Sequence, residues 1–262
     1  MAFLGRLEAF LTVPVGVTVA ATNGGGGPTT VTVPAGSYTA TGLAAAFQTA
    51  LNASRPSGWT VSISTSATGT GKVSISCSST FSITWTSTDL RDALGFTANI
   101  VSAATTQTAA NCARGLWMPD APLTLDGDTA RAPIVSDLRT TVSPTGYTYG
   151  LSGTRFYRHK NLRWSHVPKA RVWEVEATAA GTPRNSWETW FLQTQIGGVA
   201  AWLSAASRFE LYDHNGTELG ADYAVSGWFV GGGLAAIEPR RSGNSDWVGL
   251  WEIAIPEVVS NG

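Results

Sequence analysis

Charge is what this chain has least of. Asp, Glu, Lys and Arg make up 13% of its 262 residues, about half the usual share of roughly 25%. Gly, Ser, Thr and Ala fill the gap, the composition of β-sheet joined by tight turns. The formal net charge is −1, so no global field draws in nucleic acid or an anionic membrane. A surface with so little charge needs cover, which points to a chain that works inside an assembly.

Cysteine is nearly absent. Cys77 and Cys112 make no disulfide framework. Cys77 falls in phase with Val73 and Ile75 and reads as a buried thiol. A bond to Cys112 is left open by the sequence. The three histidines, His159, His166 and His214, have neither HExxH nor Cys-His spacing, and the first two lie among arginines that would repel a cation, so no metal site is expected. No apolar run reaches the roughly 18 residues of a membrane-spanning helix. Met1 to Arg6 lacks a basic segment followed by an apolar one, so no signal peptide is expected.

Catalytic signatures are missing as well. There is no Gly-x-Ser-x-Gly elbow. Glu174 and Glu176, and Asp213, Glu218 and Asp222, are carboxylate groups that solvated faces explain as well as a glycosidase pair does. The run Gly24-Gly25-Gly26-Gly27 and the triplet Gly231-Gly232-Gly233 lack the Lys-Ser/Thr of a phosphate loop and the spacing of a dinucleotide fingerprint. They read as flexible turns or contact arms. The expectation is a non-enzyme with no cofactor.

What is present is unevenly placed. Residues 1–120 carry five Lys/Arg and four Asp/Glu, residues 121–262 carry twelve and fourteen, and eight of the eleven tryptophans follow residue 150. This predicts two domains with a boundary between about 115 and 150: a small β domain over 1–120, a linker or closing segment over 121–150, and a tryptophan-rich β domain over 151–262. In the first, Leu11 to Ala20 and Thr29 to Val33 read as strands, and Ala35-Gly36-Ser37 as a turn. A helix capped by Thr41 places Leu43, Phe47, Ala50 and Leu51 on one face and ends at Arg55-Pro56. Three strands follow, carrying Trp59, Val61 and Ile63; Val73, Ile75 and Cys77; and Phe81, Ile83 and Trp85. Their short links predict an antiparallel meander. Thr88 to Phe96 reads as a short helix with Thr88 as N-cap and Gly95 just past its end, and Trp117 tucks under the sheet.

In the second half, Arg171 to Ala177, Arg208 to Asp213, Tyr223 to Val230 and Trp247 to Ile255 read as strands. Leu138 to Val142 is a further strand before them. Ser186 to Gln195 reads as a helix with Trp187, Trp190 and Phe191 on one side, stopped by Gly197-Gly198. Trp187 and Trp190 read as core; Trp228 and Trp247, near glycine-rich turns, read as exposed contacts. Arg155, Arg158, Lys160, Arg163, Lys169 and Arg171, with His159 and His166, have no acid among them and interleave with Phe156, Tyr157 and Trp164. That stretch suits either a patch for nucleic acid or an acidic partner, or a strand whose charges meet acids of the same chain or a neighbour. The near-zero net charge favours the second.

The pattern over roughly residues 155–258 resembles the hub domain of siphophage distal tail proteins and related minor tail proteins. It runs through Trp173-Glu174-Val175-Glu176, Trp187 to Phe191 with Gly197-Gly198, Phe209 to Asp213, Tyr223-Ala224-Val225 and Trp247 to Ile253. The first half resembles a small domain common in tailed-phage virion proteins, carried by Gly36-Ser37-Tyr38-Thr39, Gly71 to Ile75, Phe81 to Trp85 and Leu90 to Phe96. The resemblance implies a mainly β fold, all-β to α+β: a small antiparallel sheet with a packed helix, then a β-sandwich, tail-tube-like hub domain with one helix.

It also implies a structural role in a phage tail. The protein would be a distal tail or baseplate component of the virion, assembled in the bacterial cytoplasm as a homo-oligomeric ring of about six subunits. Its partners would be the tube, the hub and receptor-binding proteins, with no membrane insertion. Edge strands would pair between neighbours. Gly24 to Gly27 and Gly231 to Gly233 would act as arms, Trp228 as a contact, and Arg155, Arg158, Lys160 and Arg163 would face an acidic neighbour or, nonspecifically, phage DNA. The competing expectations are capsid decoration, head–tail joining, or a carbohydrate-binding module.

Overall fold

The computed structural model describes residues 3–4, 6–56, 58–66, 69–101, 104–118, 122–126, 134–135, 139–142, 148–151, 156–172, 186–190, 209–212, 237–241 and 247–259. Among these the chain is mainly β, in small antiparallel sheets with few helices. The first part runs β1 (Phe3–Leu4), β2 (Arg6–Ala9), β3 (Leu11–Val13), β4 (Thr18–Asn23), β5 (Thr29–Thr32), β6 (Gly36–Tyr38), α1 (Ala40–Ser54), β7 (Thr60–Ile63), β8 (Lys72–Ser76), β9 (Phe81–Trp85), α2 (Thr88–Ala93), β10 (Thr106–Cys112) and β11 (Leu116–Trp117).

Leu11 to Ala20 is two strands where the alternation predicted one. Pro14 cannot donate to a ladder, Gly16 takes a left-handed φ of 85°, and the chain turns there with Val15 89% exposed. Gly36-Ser37, expected as a turn, pairs in β6 with β3. Gly36 sits under the Tyr38 ring, where a Cβ would lie 3.0 Å from its atoms.

The cap of helix α1 lies two residues before the expected one. The Thr39 side chain accepts from the Gly42 N–H at 3.2 Å, so Thr39 is the N-cap. Thr41 lies inside the first turn and gives its backbone N–H and its hydroxyl to Glu8 Oε2 at 2.9 and 2.8 Å. Glu8 also accepts from Arg6 Nε at 2.8 Å, and both side chains are almost fully buried. A carboxylate at the positive end of the helix thus ties α1 to β2. Leu43, Phe47, Ala50 and Leu51 are buried along one face, as their spacing predicts.

The meander is only half realised. Strands β7 and β8 pair as a hairpin, but β9 crosses to β4, and the other neighbour of β8 is β10. The result is two three-stranded sheets, β10-β8-β7 and β5-β4-β9. Crossing buries Phe81, Ile83 and Trp85. Phe81 meets Trp59 edge-on at 5.1 Å, and Trp85 lies 5.8 Å from Phe47 of α1. The other edge of β9 is taken by Ile100. Helix α2 is capped by Ser87, one residue before the expected Thr88. It ends as read: Gly95 has φ 79°, its N–H bonds Asp92 O at 3.1 Å, and Phe96 N–H bonds Arg91 O at 3.0 Å. That is the Schellman arrangement, and it delivers Phe96 onto Trp85 at 5.4 Å.

The later part comprises β12 (Pro122–Asp126), β13 (Ile134–Val135), β14 (Arg139–Val142), β15 (Thr148–Leu151), β16 (Phe156–Pro168), a 3-10 turn (Lys169–Arg171), β17 (Phe209–Tyr212), β18 (Ile237–Arg241) and β19 (Trp247–Val259). One sheet runs β1-β12-β16-β19-β18, with β13 also on β16. Arg171, expected to open a strand, lies in the 3-10 turn; residues 173–177 and 223–230 of the expected strands lie outside the described residues. Residues 187–190 are helical, and Ser186 caps them by accepting from the Thr189 N–H at 3.2 Å.

The stretch of sequence between about 115 and 150 is bridged by pairing and packing. Strand β2 has β11 on one side and β17 on the other, and β1 pairs with β12. Trp117, fully buried, donates its indole N–H to Arg171 O at 3.0 Å, and Trp190 donates to Gly115 O at 2.8 Å. Trp187 lies edge-on to Trp117 at 4.8 Å and stacks on Trp190 at 5.2 Å. Val167, Val172, Trp187 and Trp190 share one hydrophobic core with Leu7, Ala9 and Leu116.

Candidate interaction surfaces

The sheets β10-β8-β7 and β5-β4-β9 have four outer edges, and the chain treats them differently. The β7 edge is filled by side chains of α1. Gln48 Oε1 accepts from Val61 N–H at 2.8 Å. Asn52 Oδ1 accepts from Trp59 N–H at 3.0 Å, and Asn52 Nδ2 donates to Trp59 O at 2.9 Å. Two amides one helical turn apart thereby stand in for a neighbouring strand. The β9 edge is filled by the segment after α2: Ile83 and Ile100 exchange N–H···O bonds of 3.0 and 2.9 Å, and Asn99 Oδ1 takes Trp85 N–H at 3.0 Å. Unpaired edges invite association, and plugging them is a recognised defence.

The edges of β5 and β10 are not plugged in this way. The C-terminal end of β10 is covered, since Asn111 N–H bonds Gly95 O at 2.9 Å and Arg114 N–H bonds Ala93 O at 2.9 Å. Over Thr29–Thr32 and Thr106–Ala110, no described residue bonds the outward backbone groups. Neither stretch carries a charge. Sequence reading did not single out these edges; for the plugged β7 edge a signal was there in the amide pair Gln48 and Asn52, spaced i, i+4 on the flank of an apolar helix.

The run Gly24 to Gly27 is the exposed turn between β4 and β5. Gly24 and Gly25 take φ of 55° and 77°, the left-handed region glycine tolerates. The chain holds the turn itself: Gly24 N–H bonds Thr80 O at 3.1 Å, and at Gly26 a Cβ would come within 2.5 Å of Arg55 Nη2. Of the basic residues, Arg158, Lys160 and Arg163 lie in β16. The register sets Arg158 across from Glu257 and Arg163 across from Glu252, while Lys160 faces Ile255. Arg155, Trp228, Gly231, Gly232 and Gly233 lie outside the described residues.

A pocket of about 260 Å3 opens beside α2, lined by Arg91, Asp92, Asn111, Arg114 and Trp190 among others. Arg91 Nη2 meets Asp92 Oδ1 at 2.8 Å, and Arg114 Nη2 reaches Asp92 Oδ2 at 4.0 Å. The single carboxylate of the lining is engaged by both arginines, and Cys112 beside it is buried. Among the described residues no group of three or more His, Cys, Asp and Glu could hold a metal ion, and no helix is long and apolar enough to cross a membrane.

The two cysteines are separate thiols. Cys112 faces Lys72 across the ladder, five residues before Cys77, a distance of about 16 Å along the strand. A disulfide needs Cα atoms within about 7 Å. Trp59, Trp85, Trp117, Trp187 and Trp190 are all at most 7% exposed, so none of these five forms a stacking platform for a sugar. No family model, curated protein or solved structure matches this chain.

Proposed function

We propose that this protein is a structural component of a bacteriophage tail, a ring-forming distal tail or baseplate protein that links the tube to host-attachment parts. In this reading residues 151–262 form a β-sandwich hub domain with one helix, and residues 1–120 a second, smaller domain. The phage assignment rests on the resemblance of both halves to tail and virion proteins. The observation that carries an assembly role is the treatment of the sheet edges: two are plugged by the chain's own groups, while over Thr29–Thr32 and Thr106–Ala110 no described residue bonds the outward, uncharged backbone. Strand addition is a general mode of protein association, and a ring is a head-to-tail contact closed by symmetry.

Mass photometry of the purified protein, with negative-stain images of the same sample, tests the reading. Closed rings are the expected result. A chain that remains monomeric at every attainable concentration, and with tail-tube protein added, would overturn it.

A further inference from the structure

The outer edges of β5 and β10 match each other. In the β4–β5 ladder, Val33 N–H bonds Val17 O at 2.9 Å, and the register continues Thr32↔Thr18, Val31↔Val19, Thr30↔Ala20. Backbone groups of an antiparallel strand alternate sides, so Val31 faces β4 and the N–H and C=O of Thr30 and Thr32 face outward. In the β8–β10 ladder, Cys77 N–H bonds Thr105 O at 2.9 Å, and the register continues Thr106↔Ser76, Gln107↔Ile75, Thr108↔Ser74. By the same alternation Gln107 faces β8, and Thr106 and Thr108 face outward. The side-chain bond of 2.8 Å between Thr108 and Ser74 fits this, since side chains approach closest at pairs that do not exchange backbone bonds.

Each edge therefore offers two outward peptide units at i, i+2 spacing, both threonine, and all four threonines are exposed. Neither stretch has the Lys or inward charge that usually protects an edge. Pro28 and Pro34 bracket β5, and the turn at Gly95 covers the far end of β10, so each open window is about the same length.

We propose that β5 of one copy of this chain adds antiparallel to β10 of the next, pairing Thr30 and Thr32 with Thr106 and Thr108 in a repeating head-to-tail contact. The occupant of each edge is a second copy because the chain itself carries the complementary edge: equal in length, free of charge and open over the same number of peptide units. The proposal rests on the assembly reading above and names its contact.

Proline tests it. At an outward-facing edge position proline removes a donor that the inner ladder does not use, so Thr30→Pro and Thr108→Pro leave β4–β5 and β8–β10 backbone pairing in place. Self-association of the full chain is measured by mass photometry over a dilution series, with circular dichroism to verify folding. Each variant is expected to associate at least about tenfold more weakly than the unmodified protein. An equimolar mixture of the two is expected to stop at dimers, since one supplies an intact β10 and the other an intact β5. If both folded variants assemble as the unmodified protein does, the strand pairing is wrong while the ring reading stands; if the unmodified protein never associates, both fall. Should a variant not fold, amide hydrogen exchange on the unmodified protein decides. Exchange at Thr30, Thr32, Thr106 and Thr108 is expected to slow on going from dilute to assembled protein, and unchanged exchange would overturn the proposal.

Discussion

Replacing Asn52 by alanine should expose the β7 edge and destabilise the protein. The amide makes two bonds to the backbone of Trp59, at 3.0 and 2.9 Å, and a third to Gln48 O at 3.1 Å. Trp59 is 2% exposed, so alanine leaves its N–H and C=O with poor access to water. Each buried backbone group left unpaired costs about 1–3 kcal/mol. Alanine recovers about 0.6 kcal/mol through its better helix propensity. A net loss of about 2 kcal/mol follows, or a melting temperature about 6 °C lower for a chain of this size. Urea titration and thermal unfolding followed by circular dichroism measure it. Asn52→Asp separates the two bonds: it keeps an acceptor for the Trp59 N–H but puts a carboxylate beside the Trp59 carbonyl, and should destabilise at least as much. If Asn52→Ala melts within 1 °C of the parent, at odds with a cost of this order, the helix amides do not plug the edge.

Three further outcomes are expected. Gly71→Ala should cost about 3 kcal/mol, because Gly71 has φ 69° and a Cβ there would lie 2.3 Å from Cys112 Sγ; Cys112→Ala in the same chain should recover only the part due to the clash, read by urea titration. Trp190→Phe keeps a ring beside Trp187 but removes one of two donors to Gly115 O, which also accepts from Ala9 N–H at 2.7 Å; a loss of about 1 kcal/mol is expected by urea titration, and an unchanged midpoint would show that the indole bond adds nothing to stability. Reducing agent should leave both the melting temperature and the mobility on denaturing gels unchanged, since Cys77 and Cys112 form no disulfide with each other; a shift in either would contradict the β8–β10 register.

Local periodicity made much of the first half legible. The apolar face of α1, the alternation of Val73 with Ile75 and of Phe81 with Ile83 and Trp85, and Gly95 past the end of α2 all follow from side-chain spacing and from a backbone conformation glycine favours. Caps were harder to read: Thr39 and Ser87 lie beside Thr41 and Thr88, and neighbouring hydroxyl residues compete for the same role. Of the residues expected to make contacts, Gly24 to Gly27 form an exposed turn, and Arg158, Lys160 and Arg163 lie on one long strand. The edges with unpaired backbone drew no attention, because an unpaired peptide group has no side-chain signature.

The sequence by itself determined that this is a low-charge, mainly β chain with an amphipathic helix and an aromatic core, since burial period and turn chemistry are local properties. Tertiary structure alone decided which strands meet. That β9 joins β4 and not β8, that β17 of the later segment joins β2 near the start, and that Glu8 is held by Thr41 all depend on contacts between residues far apart in the chain. The same is true of the edges: whether a strand's outer backbone is covered by a helix amide, by a returning loop or by nothing is settled only when every element has its neighbours.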